Sequence, residues 1–212
     1  MVRADVTAAA RELADREPVI AGLLERHGPP RIPRPRPTGD RFPALARSVL
    51  YQQLAGSAAA AIHRRVVDAV GGSLAPAPLV ALGFDGLRAC GVSSAKAVSL
   101  LDLSVRVETG EIRLERIGRL ADDEVVEHLT RVRGIGTWTA EMFLLFTLGR
   151  LDVWPVGDFG VRAGYGAAWG LGGPPTPGAL TRHGDPYRPY RSLVAWYCWR
   201  AADDAKRARL PS

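Results

Sequence analysis

Cysteine, lysine and uninterrupted apolar stretches are scarce in this 212-residue chain. Its two cysteines, Cys90 and Cys198, stand apart with no CxxC pair. That excludes a disulfide framework, a zinc site built on thiolates and a four-cysteine iron–sulfur cluster. Every apolar run is cut by charge, Gly or Pro before the roughly 18 residues that a helical membrane span requires. The start of the chain scatters Arg3, Asp5, Arg11 and Glu12 among alanines and lacks the apolar core of a secretion signal, so a cytoplasmic location is expected. No GxxxxGK[ST] motif or strand-led GxGxxG is present, which removes nucleotide-cofactor enzymes; no nucleophile elbow appears either, although a Ser/His/Asp triad assembled from distant residues stays open. His27, His63, His128 and His183 are dispersed, with no i, i+4 pair that would bind a metal.

What is present is a hydrophobic fraction of 47% against 24% charged residues, the balance of a chain that buries a core. Basic residues outnumber acidic ones, 28 to 22, for a net charge of +6. Only Lys96 and Lys206 are lysines, so the positive charge is carried by arginine, whose planar fork matches phosphate oxygens. An acidic partner is indicated by charge, and the motifs must say which one.

Helical spacing recurs along the whole chain. Leu13, Ile20, Leu23 and Leu24 mark residues 4–27, with Pro18 opening a second segment. The stretch 29–37, PPRIPRPRP, alternates Pro with Arg and is expected to be extended. Further helices are expected over 42–54, over 58–70 with Ser57 as N-cap and Gly71 and Gly72 closing it, after Pro76, over 94–108, over 123–132 capped by Asp122, and over 158–169 and 189–206. No stretch alternates as a strand would. The fold expected is all-α, with about eight to ten helices.

The most informative segment is 129–162, LTRVRGIGTWTAEMFLLFTLGRLDVWPVGDFGVR. Two helices flank Arg133-Gly134-Ile135-Gly136, a connection long enough only for a tight hairpin, and the second begins at about Thr137. Its N-terminus offers main-chain N–H groups and the positive end of a helix dipole, a ready place for phosphate. Twenty residues after Trp138, Asp158 stands at a new helix start. VRGIGTWTA followed by VWPVGDFGVR resembles the signature of the helix-hairpin-helix (HhH-GPD) DNA glycosylase superfamily, nearest to its 3-methyladenine DNA glycosylase II branch. Tyr51-Gln52-Gln53-Leu54 before an Ala-rich helix and Pro189-Tyr190-Arg191-Ser192 before an aromatic one extend the resemblance over roughly residues 42–200.

The resemblance implies a two-lobed helical fold without an N-terminal β domain. It divides the chain into an N-terminal segment and Pro/Arg strap (1–40) packing with the C-terminal lobe, a central lobe (41–150) holding the hairpin at 123–148, and a C-terminal lobe (151–212) carrying Asp158. It assigns catalysis to Asp158, whose carboxylate would stabilise positive charge building on a deoxyribose. It assigns the base pocket to Trp138, Met142 and Tyr190, whose faces attract an electron-poor purine, with Met142 standing where some relatives have an aromatic. Gln53, or alternatively Leu54, would be the wedge that fills the gap left by a flipped base. Gln52, Arg133, Gly134, Gly136 and Thr139 would contact DNA. Carbonyls of Thr130, Val132 and Ile135 would hold a monovalent or divalent structural cation at the hairpin, and no cofactor is required. Members that also cut the backbone carry Lys at the position of Trp138, because an amine must attack the sugar. The chain is therefore expected to be a monofunctional glycosylase for alkylated purines of the 3-methyladenine and 7-methylguanine type in damaged duplex DNA, a monomer associated with the nucleoid rather than a membrane. A glycosylase for another damaged or mismatched base and a noncatalytic DNA-binding module are the alternatives. Lys96 is read as touching phosphate or solvent, Asp152 as a cap or solvated acid, and Trp154, Trp169, Trp196 and Trp199 as packing.

Overall fold

The computed structural model describes residues 5–54 and 56–208. Among these there are eleven α-helices, three short 3-10 turns and no strand. No described helix is long and apolar enough to cross a membrane. The chain forms two units, one from Met1–Arg34 with Gly149–Ser212 and one from Pro35–Leu148.

The first unit opens with α1 (Val6–Arg16) and α2 (Pro18–His27). The Asp5 carboxylate caps α1 by accepting the Thr7 N–H at 2.8 Å, and Pro18 occupies the first turn of α2, where its missing N–H costs nothing. The unit is completed by α9 (Phe159–Ala168), α10 (Pro177–Gly184) and α11 (Arg191–Arg207). Leu13, Ile20, Val161, Leu180, Leu193 and Tyr197 are buried in it. Helices α9 and α11 approach so closely at Gly164 that a Cβ there would overlap the Cys198 carbonyl and lie 2.9 Å from Cys198 Cα.

The second unit contains α3 (Arg41–Tyr51), α4 (Gly56–Ala69), α5 (Pro76–Ala89, interrupted at Gly83), α6 (Ser94–Glu108), α7 (Asp122–Thr130) and α8 (Thr137–Phe146). Leu45, Leu50, Leu79, Leu87, Leu100, Leu103 and Leu129 form its interior. The passage between units falls at 34/35, inside the Pro/Arg segment, and at 148/149. The Arg36 N–H donates to the Thr147 carbonyl at 2.8 Å, which ties the later half of that segment to the end of α8.

Several helix ends depart from expectation. Ser57 is the second residue of α4 rather than its cap. Asp122 is the first residue of α7, with Ala121 in the cap position, and the Glu124 carboxylate satisfies the Ala121 N–H at 2.7 Å. Helix α7 ends at Thr130, two residues early, because the chain must turn into the hairpin. Helix α11 starts at Arg191, after Pro189 and Tyr190. Helix α10 has no counterpart among the expected segments. Its few apolar positions give little periodicity, yet Thr176 caps it by accepting the Ala179 N–H at 3.3 Å and Pro177 sits in its first turn.

Candidate active site

Helices α7 and α8 are joined by residues 131–136, and α6 lies against that connection. Gly134 has φ +79°, a left-handed conformation that glycine adopts without strain, and its Cα faces Ser99 so closely that any Cβ would meet the Ser99 hydroxyl. The Arg133 N–H donates to Asp102 Oδ2 at 2.7 Å, and Asp102 also accepts two bonds at 3.0 Å from the Arg106 guanidinium. Val132 and Ile135 are buried, with the Ile135 N–H donating to the Val132 carbonyl at 3.1 Å, while Arg133, Gly134 and Gly136 are exposed. The hairpin thus anchors two apolar side chains below and presents main chain above, beside the dipole-positive start of α8.

Gln52, Gln53, Gly134, Gly136, Trp138, Thr139 and Met142, all singled out in the sequence, line one cavity of about 610 Å³ with Ser48 and Tyr51. Trp138 is 47% exposed, whereas Thr139 is buried. The Gln52 amide donates to the Gly134 carbonyl and to Thr139 Oγ1, both at 3.2 Å, so the turn after α3 is fastened to the hairpin and Thr139 serves as an internal anchor. Gln53 has φ +53°, the one non-glycine residue with positive φ among the described residues. Leu54 lines a smaller pocket of about 240 Å³ with Ile62, Val92 and Lys96. Lys96 is partly exposed, and beyond the solvent contact expected of it its ammonium donates to the Leu50 carbonyl at the end of α3 at 2.8 Å, while burial lowers its pKa.

In the other unit Asp158 is the N-cap of α9. Its Oδ1 accepts the Val161 N–H at 2.8 Å and the Trp199 indole N–H at 3.0 Å. Capping explains why an acid favours this position, and the residue is partly exposed. Trp199, read as packing, is instead a hydrogen-bond donor to Asp158. Burial, and after it the nearby Asp158 carboxylate, raises the Cys198 thiol pKa. Asp152 is likewise no solvated acid: Arg191 grips it in a fork at 2.8 and 2.9 Å and Arg188 adds a third bond at 2.9 Å, which fixes the turn carrying Tyr190. Tyr190 is half-buried and precedes α11.

Among the described residues no group of three or more His, Cys, Asp or Glu side chains is placed to hold a metal ion. The main-chain oxygens of Thr130, Val132 and Ile135 are neutral hard donors of the kind alkali and alkaline-earth ions accept, and the Val132 carbonyl, with one hydrogen bond from Ile135, retains a lone pair.

An all-helical chain with a glycine hairpin, a capped carboxylate and an arginine-dominated positive charge has the make-up of a helix-hairpin-helix nucleic-acid enzyme. The family model of HhH-GPD superfamily base excision DNA repair proteins matches residues 46–189, and the chain belongs to that superfamily. It is 36% identical over 164 residues to DNA-3-methyladenine glycosylase 1 of Schizosaccharomyces pombe, covering 76% of this chain and 72% of the relative. The fold matches the crystal structure of a Bacillus halodurans DNA-3-methyladenine glycosidase with a TM-score of 0.84 at 34% identity, over 94% of this chain and 91% of that one. It also matches S. pombe 3-methyladenine DNA glycosylase Mag1 in complex with abasic DNA, with a TM-score of 0.81 at 34% identity, over 92% and 96% of the two chains.

Proposed function

We propose that this protein is a monofunctional DNA glycosylase that flips alkylated purines of the 3-methyladenine and 7-methylguanine type out of duplex DNA and hydrolyses their N-glycosidic bond. The observation that carries this reading is Asp158, a partly exposed residue whose Oδ1 accepts the Val161 and Trp199 N–H groups at the start of α9. The relatives named for 3-methyladenine support the substrate class.

The chemistry follows from the bond to be broken. As the C1′–N bond lengthens, its electron pair moves onto the base and C1′ becomes an oxocarbenium-like centre. A base already carrying an alkyl-derived positive charge leaves as a neutral molecule and needs no proton from the enzyme. What the enzyme must supply is negative charge beside the sugar, and Asp158 supplies it. Water then adds to C1′ and passes a proton to the carboxylate, leaving an abasic site. The two N–H donors keep the carboxylate in one orientation, so no reorganisation is required when charge develops.

Trp138, exposed on the cavity wall beside Met142, offers a π-face to the extruded base. Gln53 fills the vacated stack, with Leu54 beside it. Arg133 and the main chain at Gly134 and Gly136 hold phosphate, with Gln52 and the buried Thr139 bracing the turn. A cation held by the Thr130, Val132 and Ile135 carbonyls would add positive charge to that phosphate grip and take no part in bond cleavage. The absence of lyase chemistry is supported by Trp138 standing in the hairpin helix and by the Lys96 ammonium being engaged with the Leu50 carbonyl.

The test is release of free base from methylated duplex DNA by wild type and by Asp158→Asn, with strand breaks scored before and after alkali. Asn still caps a helix, so the fold is retained while the charge is lost. Release by wild type, a drop of about 10²–10³-fold in the variant and breaks only after alkali are expected. Direct nicking by wild type would contradict the hydrolytic mechanism. Duplex binding with no release would favour another lesion or a binding module.

A further inference from the structure

We infer that α6 is an indexing helix, whose Lys96, Ser99 and Asp102 set the position of the base-probing turn at 52–54 relative to the phosphate-binding hairpin at 131–136. This rests on the glycosylase reading above. The three residues recur at intervals of three along α6 and so share one face of it. Each engages a different part of the DNA-facing main chain. Lys96 donates to the Leu50 carbonyl at 2.8 Å, in the last turn of α3 and just ahead of Gln52 and Gln53. Ser99, buried and bonded to the Ala95 carbonyl at 2.9 Å, packs against the Cα of Gly134 with no room for a side chain between them. Asp102 accepts the Arg133 N–H at 2.7 Å.

Four features indicate that this face does more than fill space. The Lys96 ammonium is kept in a partly buried place where its charge is disfavoured, against a carbonyl that α3 leaves without a helical partner. Its bond lies three residues before Gln53, which is held at φ +53°, a conformation that a free turn of non-glycine residues abandons. Asp102 is held in turn by Arg106, which also pairs with Glu111, so the hairpin N–H meets a carboxylate whose direction is already set. The Gln52 amide closes the arrangement by bonding Gly134 and Thr139. Turn and hairpin are therefore tied to each other directly and to one rigid helix separately. A probe that inserts into the stack from one turn while phosphate is gripped by another requires such a fixed spacing, because a displacement of about 1 Å can cost about 10²-fold in rate. Lys96 is accordingly a positioning residue, not a catalytic one.

Lys96→Met keeps the length of the side chain and removes the donor, whereas Lys96→Arg retains a donor for the Leu50 carbonyl. Each full-length variant is compared with wild type in single-turnover base release from methylated duplex, in binding to undamaged duplex of the same sequence, and in fluorescence of 2-aminopurine placed beside an abasic-site analogue. The expected result for Lys96→Met is a loss of about tenfold or more in the single-turnover rate, a smaller 2-aminopurine rise and unchanged affinity for undamaged duplex, with Lys96→Arg recovering most of the rate and the fluorescence. A Lys96→Met protein that releases base and unstacks 2-aminopurine like wild type overturns the inference alone. Equal losses in base release and undamaged-duplex binding, unrelieved in Lys96→Arg, overturn it as well, since they indicate general damage to the fold. A wild type that releases no base overturns the glycosylase reading and this inference with it.

Discussion

Gly164→Ala is a sharp test of how the carboxylate is held. The added methyl would lie 2.9 Å from the Cys198 α-carbon and closer still to its carbonyl oxygen, whereas ordinary van der Waals separation begins at 3.4 Å. The obstructing atoms are main chain, so no side chain can swing aside. Helices α9 and α11 must part by about 0.5 Å to clear the α-carbon and by more to clear the oxygen. Overpacking of this kind costs on the order of 1–3 kcal/mol, with a backbone obstacle placing it at the upper end. The helix preference of Ala over Gly returns up to about 1 kcal/mol. A net loss of about 2 kcal/mol remains, which for a chain of this length lowers Tm by about 4–8 °C. Function should suffer beyond stability, because Asp158 begins α9 and Trp199 lies on α11. Their 3.0 Å hydrogen bond has only a few tenths of an ångström to spare before it weakens. Thermal melting and base release at a temperature where both proteins are folded separate the two effects. Gly22→Ala is the control: it lies mid-helix in α2 with nothing within 4 Å of its added Cβ, and should raise Tm slightly. A Gly164→Ala protein that melts at or above wild type and keeps full activity would refute both the close approach of α9 to α11 and its role in seating Asp158.

Gln53→Gly should leave stability unchanged or raised by up to about 1 kcal/mol, since glycine adopts the left-handed φ at no steric cost, while base release falls because the probing side chain is gone. Parallel losses in both would show that Gln53 acts through packing. His63, beside the Tyr51 ring, has its pKa lowered by burial and by the Arg47 charge. The unfolded chain therefore takes up this proton first, so the contribution of neutral His63 is complete above its ordinary value near 6.5 and is lost as pH falls through that value toward the folded one. Melting curves from pH 7.5 down to 5.5 should show a shallower decline for His63→Gln than for wild type; identical slopes would mean that another group sets the acid limb.

Much of the architecture was legible because local rules were obeyed. Pro18 and Pro76 mark helix starts, Gly71 and Gly72 a helix end, and Gly134 the hairpin, each through a backbone constraint that acts whatever surrounds it. Gln52, Gln53, Trp138 and Met142 were each singled out through the resemblance, but that they line one cavity is given by the fold. Helix ends that depend on competition between neighbouring residues were less legible, as at Ser57 and Asp122, and α10 escaped notice because eight residues give barely two turns of periodicity.

By itself the sequence determined that the chain is helical, that it carries its positive charge as arginine, and that a glycine hairpin is followed, twenty residues after Trp138, by an acid at a helix start. These are properties of residue type and short spacing. Only the tertiary structure decided which long-range partner each polar group found. The Trp199 indole faces Asp158 across 41 residues, the Lys96 ammonium ends at the Leu50 carbonyl 46 residues away, and the Arg191 fork closes on Asp152. No periodicity encodes such bonds, because a helix pattern states which face is buried and says nothing of the atom that waits on the other side.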